Sequence, residues 1–196
     1  CGRELEERGK AWSGRGPFLV VGAGPAGLQA AITLREGGAE VRIVERDGSP
    51  GGQLRAASRP PGKEPLAGWV GWAERKLRSM GIEVETNLPG EKVLGERAWA
   101  GVISACGATP VIPTLPGTEL DINAEAREVL LGHREVKGRV LVVGAGPVGM
   151  ETAHFLISQG CMVTVVEDRE HPPVFPATSH GYFLHRELRE RGELLL

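Results

Sequence analysis

The chain has few cysteines, no strong bias of charge and no long apolar run. Cys1, Cys106 and Cys161 are the only cysteines in 196 residues, and no CxxC pair occurs. This excludes a local redox disulfide and a zinc site built from close cysteine pairs, and it fits a reducing, cytoplasmic setting. Lys and Arg number 23 against 25 Asp and Glu, giving a formal net charge of −2 with no basic tract, so nucleic acid is not an expected partner. No apolar stretch approaches the ~20 residues that a membrane-spanning helix needs, so no membrane partner is expected. His154, His180 and His185 have no metal-ligand partners at a recognisable spacing; each reads as a solvated or packing residue, and no metal is expected. No Ser/His/Asp or paired-carboxylate set stands out, so the catalytic residues stay unassigned.

Glycine is what the sequence has in quantity, with 29 residues, several of them in one pattern. Phe18-Leu19-Val20-Val21 runs into Gly22-Ala23-Gly24-Pro25-Ala26-Gly27. A helical segment follows and stops at Gly37-Gly38, after which Val41-Arg42-Ile43-Val44 reads as a second buried strand closed by Glu45. Strand, glycine turn, helix, strand and acid form the dinucleotide-binding fingerprint in its required context. Gly22 allows the tight turn, Gly24 lets a pyrophosphate approach the backbone, and Gly27 lets helix and strand pack closely. The helix N-terminus offers unpaired N–H groups to the phosphates, and Glu45 can accept from ribose hydroxyls.

The same pattern returns 122 residues later, from Gly22 to Gly144, Gly24 to Gly146, Gly27 to Gly149 and Glu45 to Glu167. Val140–Val143 leads into Gly144-Ala145-Gly146-Pro147-Val148-Gly149, a helix ends near Gly160, and Val163–Val166 closes on Glu167. Two complete fingerprints at a constant offset predict an α/β protein with two Rossmann-like units and parallel sheets, each binding a dinucleotide.

Between the two copies, residues 46–54 read as a loop in which Gly51-Gly52 would let backbone lie against a cofactor beside Gln53. A proline-rich connection over residues 58–65 precedes a helix carrying Leu66, Trp69, Val70, Ala73, Leu77 and Met80, which reads as core. Ile82–Thr86 alternates like a strand, Val102–Ala105 is a short apolar strand, and residues 124–131 are a short helix. Proline-rich residues 110–118 mark a domain boundary. The expected division is an arm over 1–16, a first nucleotide domain over 17–116 and a second over 117–196. In the tail, Tyr182–Arg191 predicts an amphipathic helix and Leu194-Leu195-Leu196 the start of a strand. The chain begins at Cys1, not Met, so a fragment or processed product is expected.

Two dinucleotide units in one chain imply a relay, with FAD held in the first and a nicotinamide nucleotide visiting the second. Glu167 favours NAD(H), because a carboxylate repels a 2′-phosphate, while Arg169 keeps NADP(H) open.

These residues resemble the C-terminal half of flavin oxidoreductases that join an FMN-binding TIM barrel to two nucleotide-binding domains, such as dienoyl-CoA reductase, enoate reductase-like NADH oxidases and trimethylamine dehydrogenase. The resemblance is carried by Gly2-Arg3-Glu4, both fingerprints, Gly51-Gly52-Gln53-Leu54, Pro61-Gly62-Lys63, the Trp69–Gly81 helix with Ile82-Glu83-Val84, and Ala105–Pro110. It implies that Gly24, Pro25, Ala26, Glu45, Arg46, Gly52, Gln53 and Leu54 line FAD, with backbone near Leu88 at the adenine and Gly107 toward the flavin. It implies that Gly146, Pro147, Val148 and Glu167 line NAD(P)H. The implied activity is an FAD-dependent NAD(P)H oxidoreductase module that passes electrons onward to a downstream acceptor. FMN and an iron–sulfur cluster would belong to parts absent from this chain, as would the segment that normally completes the FAD domain. Cys106 stands where these proteins usually have Thr, and Cys1 does not take a cluster-ligand role. Disulfide reductases share the two-nucleotide plan, but the missing CxxC argues against that activity. Two alternatives stay open: a nucleotide-binding module without turnover, holding ADP as in some relatives, and a ferredoxin-reductase-like electron-transfer subunit.

Overall fold

The computed structural model describes residues 16–170, 174 and 179–195. The expected arm, apart from Gly16, lies outside them, as do residues 171–173 and 175–178 and Leu196. The chain divides into two compact units. One comprises the described residues up to Leu54 together with Leu66–Ala108; the other comprises Arg55–Pro65 and the residues from Thr109 onward. The chain thus crosses into the second unit for a short segment and returns.

The first unit is built on a four-stranded sheet. Its strands are β1 (Pro17–Val21), β2 (Glu40–Val44), β3 (Val84–Glu85) and β4 (Gly101–Ser104), in the order β3-β2-β1-β4, with every pairing parallel. Parallel neighbours need a crossover, and helix α1 (Pro25–Glu36) supplies the one between β1 and β2. Its Leu28, Ala31 and Ile32 recur at helical spacing and bury against Val20 and Ile43 of the sheet. The short helix α2 (Leu54–Ala57) follows the loop after β2, and α3 (Pro65–Ser79) adds Val70, Ala73 and Leu77 to the same core. On the other face of the sheet Leu19, Val44 and Val93 form a smaller cluster, against which Leu88 and Trp99 pack.

The strand expected over Ile82–Thr86 shrinks to Val84–Glu85, for two reasons. The Ile82 N–H still closes the end of α3 on the Leu77 carbonyl, and Asn87 turns the chain with a φ of 57°.

The second unit carries helix α4 (Ala126–Leu131) and a three-stranded parallel sheet of β5 (Arg139–Val143), β6 (Met162–Val166) and β7 (Glu193–Leu195), in the order β5-β6-β7. The crossovers are α5 (Pro147–Ser158) and α6 (Ser179–Arg191). Met150, Ala153 and Leu156 of α5 and Leu184 and Leu188 of α6 close the core over Val163 and Val165. His185 is buried, its Nε2 2.8 Å from the Val174 carbonyl oxygen, which makes it a packing residue. Among the described residues β5 is hydrogen-bonded to a strand on one side only, and Leu141 and Val143 on it are exposed. Among the described residues, no helix is long and apolar enough to cross a membrane, and no group of His, Cys, Asp and Glu could hold a metal ion.

Candidate dinucleotide-binding sites

Each sheet presents one glycine turn at the carboxyl end of its first strand, and the two turns share their hydrogen bonds. The Gly22 N–H donates to the Val44 carbonyl at 2.8 Å, and the Gly144 N–H to the Val166 carbonyl at 2.7 Å. Both glycines have a positive φ, 101° and 102°, which a side chain would strain. At the third glycine of each turn a Cβ would collide with backbone. On Gly27 it would stand 1.8 Å from the Gly22 oxygen, and on Gly149 1.9 Å from the Gly144 oxygen. The roles expected for the turn glycine and the packing glycine therefore rest on contacts present in both copies.

The middle glycine behaves differently. A Cβ on Gly146 would meet nothing within 4 Å, and one on Gly24 would meet only the Cα of Gly52, at 3.9 Å. Packing within the chain does not demand glycine here, because the space beside each of the two is open. That space adjoins the N-termini of α1 and α5, whose N-caps are Gly24 and Gly146 and carry no side-chain capping bond. Pro25 and Pro147 open these helices, and Pro25, Ala26, Pro147 and Val148 are exposed beside the turns. Uncapped N–H groups, the helix dipole and room left by a missing Cβ suit a pyrophosphate, so the residues present fit a dinucleotide in both units.

The two acids close the arrangement. Glu45 accepts from the Ala23 N–H at 2.7 Å through Oε2 and from the Asp47 N–H at 2.9 Å through Oε1, and it is buried. Glu167 repeats this with Ala145 at 2.8 Å and Arg169 at 3.3 Å. The Ala145 N–H, together with a bond from Asp168, holds the Glu167 carboxyl below the usual carboxylate range. Each carboxylate so fixed retains lone pairs for ribose hydroxyls. Residue type and spacing do not single out the two alanines, yet their N–H groups orient the acids.

In the first unit three further segments converge on the turn. The Gly51 N–H donates to the Ala23 carbonyl at 2.8 Å, which lays Gly52 against Gly24: a Cβ on Gly52 would stand 2.9 Å from the Gly24 Cα. Past β4, the Ala105 oxygen would stand 2.4 Å from a Cβ on Gly22, and Gly107 turns away with a φ of 71°. Gln53 Nε2 donates to the Ala108 carbonyl at 3.3 Å, tying two of these segments together. The Leu88 N–H donates to the Glu45 carbonyl at 2.8 Å, so Leu88 reaches the β2 end through a bond that already engages its donor. Arg46 points outward, its Nε 3.6 Å from Asp47 Oδ1. Thus Gly22–Gly27, Glu45, Gly52–Leu54 and the turn at Gly107 gather around one cradle, Leu88 adjoins it, and Arg46 lies on its exposed margin. Gly144–Gly149 and Glu167 gather in the other unit.

A family model described as pyridine nucleotide-disulphide oxidoreductase matches residues 17–192. The chain belongs to this family. Over 154 residues it is 38% identical to an NADH oxidase of Thermoanaerobacter brockii, covering 76% of this chain and 24% of that protein. Over 168 residues it is 34% identical to a cinnamate reductase of Clostridium sporogenes, covering 85% of this chain and 25% of the relative. The chain therefore spans about a quarter of the length of these curated relatives. A solved structure of 2-naphthoyl-CoA reductase in complex with 2-naphthoyl-CoA superposes with a TM-score of 0.85 over 93% of this chain and 28% of that one, at 24% identity, which shows the shared fold. Membership of this family fits FAD and NAD(P)H as the cofactors of the two glycine turns.

Proposed function

We propose that the first unit holds FAD, that the second receives NADH, and that the chain is the electron-input part of a flavin oxidoreductase. One observation carries this reading: the same strand, glycine turn, helix and acid occurs twice, with each acid bonded to the alanine N–H of its own turn. The extra segments around the first turn support placing the larger, resident cofactor there, because Gly51–Leu54 and Ala105–Ala108 give it more backbone to lie against.

Held in this cradle, FAD would supply the chemistry of accepting a hydride from a reduced nicotinamide. The residues of the chain bind and orient. Gly24 and Gly146 leave room for pyrophosphates, α1 and α5 present N–H groups, and Glu45 and Glu167 accept from ribose hydroxyls. Glu167, kept ionised by the Ala145 N–H, disfavours a 2′-phosphate and so favours NADH over NADPH. Electrons would leave for a downstream acceptor domain or protein, and a cytoplasmic location follows from the use of NADH.

Anaerobic titration of the FAD-loaded chain tests the reading. NADH should bleach the flavin absorbance, at lower concentration than NADPH. A chain that binds nucleotide while its flavin stays oxidised would instead be a binding module without turnover and would overturn the proposal.

A further inference from the structure

Five large apolar side chains stand in solvent within twelve residues of the second unit. Val111, Ile112, Leu115, Leu120 and Ile122 are all exposed, Val111 at 92% and Ile122 at 86%. Single exposed apolar residues are ordinary, whereas a run of large ones marks a surface that meets another molecule. The stretch is also ordered by its own bonds. Pro110, Pro113 and Pro116 fix their φ angles. The Thr118 N–H donates to the Leu115 carbonyl and the Leu120 N–H to the Gly117 carbonyl, both at 3.1 Å. The Asn123 N–H and Nδ2 donate to the Leu120 carbonyl at 3.0 and 2.9 Å. A surface ordered beforehand gives up little freedom when a partner binds.

Charge narrows the partner. Residues 109–125 contain Glu119, Asp121 and Glu125 and no Lys or Arg, although the chain has 23 of these cations. Glu125 is engaged as the N-cap of α4, where it accepts from the Arg127 N–H at 2.8 Å. Glu119 and Asp121 are exposed and alternate with Leu120 and Ile122. A second copy would set these acids against themselves, and nucleic acid would be repelled. The complement is a protein face that is apolar at its centre and carries Lys and Arg at its rim. The stretch also starts close to the first cradle. Val111 is four residues past Gly107, whose turn belongs to that cradle, so the two are at most about 14 Å apart.

We propose that residues 111–122 are the docking surface for a protein electron acceptor whose apolar contact face is rimmed by Lys and Arg. The proposal rests on the reading of the chain as an electron-input part with FAD in its first unit.

Cytochrome c, a small basic haem protein, is the probe. Each NADH gives up two electrons, which reduce two ferric haems to ferrous, and one proton is released to solvent. Menadione, a small neutral quinone that needs no docking surface, is the control; it takes two electrons and two protons. Glu119→Gln with Asp121→Asn should slow cytochrome c reduction about fivefold at low ionic strength, the difference closing as salt is raised. Val111→Ser with Ile122→Ser should slow it about tenfold at every salt concentration. Both pairs should leave menadione reduction unchanged. Carbodiimide cross-linking, which needs no flavin, should join Glu119 and Asp121 to lysines of cytochrome c. Parent rates with cytochrome c in both loop variants would overturn the surface. So would an equal loss in Glu83→Gln with Glu190→Gln, or no cross-link from Glu119 or Asp121. Failure of NADH to reduce the bound flavin would instead overturn the electron-input reading, and the cross-links would still judge the surface.

Discussion

Gly27 stands so close to Gly22 that one added methyl group would lie 1.8 Å from the Gly22 carbonyl oxygen. At Gly24, two residues past Gly22, the same methyl group would meet only the Gly52 Cα, at 3.9 Å. Gly27→Ala should therefore destabilise the first unit by about 3 kcal/mol or more, an overpacking cost against rigid backbone. Gly24→Ala should keep the thermal transition and lose FAD. Thermal melts paired with flavin content after desalting read the two effects separately; equal loss of stability in both variants would contradict the division.

Glu167 should control the choice between NADH and NADPH. Replacing it with Gln removes the charge and keeps an oxygen for the Ala145 N–H, so discrimination against NADPH should fall by about tenfold. The pH dependence follows from the sign of the shift. A carboxyl held below its ordinary value of 4.5 stays ionised as the pH falls toward that value, so its effect is present above the unfolded value and is lost only as pH falls through the lower folded one. The NADH preference should thus be flat from about pH 8 to about pH 5. Stopped-flow reduction by each nucleotide across that range checks both statements.

Arg42 on β2 ties the first sheet to its short third strand. Its Nε and Nη2 donate to the two carboxylate oxygens of Glu85 at 2.7 and 2.8 Å, and it also pairs with Glu96. The bidentate bond from Arg42 holds the Glu85 carboxyl below its ordinary value of 4.5. The associated stability is full above the unfolded value and disappears as the pH falls through the folded one. Arg42→Met should therefore cost under about 1 kcal/mol at neutral pH, because the pair is partly exposed, and that cost should vanish at acidic pH. Urea denaturation at several pH values would show the two curves converging.

Cys106 reports on the first cradle. It is exposed, whereas Cys161 is buried, and its Sγ lies 3.8 Å from the Val21 carbonyl oxygen beside the glycine turn. A thiol reagent followed by peptide mapping should modify Cys106 before Cys161 in the FAD-free chain, and FAD should slow modification at Cys106 selectively. Unchanged labelling with FAD bound would place the flavin elsewhere.

Much of this was legible in the sequence because glycine spacing and apolar periodicity are local signals. Both β–turn–α–β units, α3 and α6 follow directly from them, and so does Glu45 at the end of β2. What was not legible depends on contacts between distant positions. The four-residue α2 is too short for periodicity to show, and β3 is cut down by the turns on either side of it. The bonds from Ala23 and Ala145 to the two acids involve backbone N–H groups, which leave no trace in residue type. Lys63 and Glu151 are 88 residues apart, and nothing local in either stretch announces the pair.

The brief passage of Arg55–Pro65 through the second unit bears on how the protein can be taken apart. A gene cut once, in the proline-rich stretch after residue 109, would yield halves that each look complete by fingerprint. The downstream half would nevertheless lack Arg59, which donates to the Leu130 carbonyl, and Lys63, which pairs with Glu151. Exchange of nucleotide units between relatives therefore calls for two crossover points around the inserted segment as well as the late one, so that this short length of chain travels with the unit it serves.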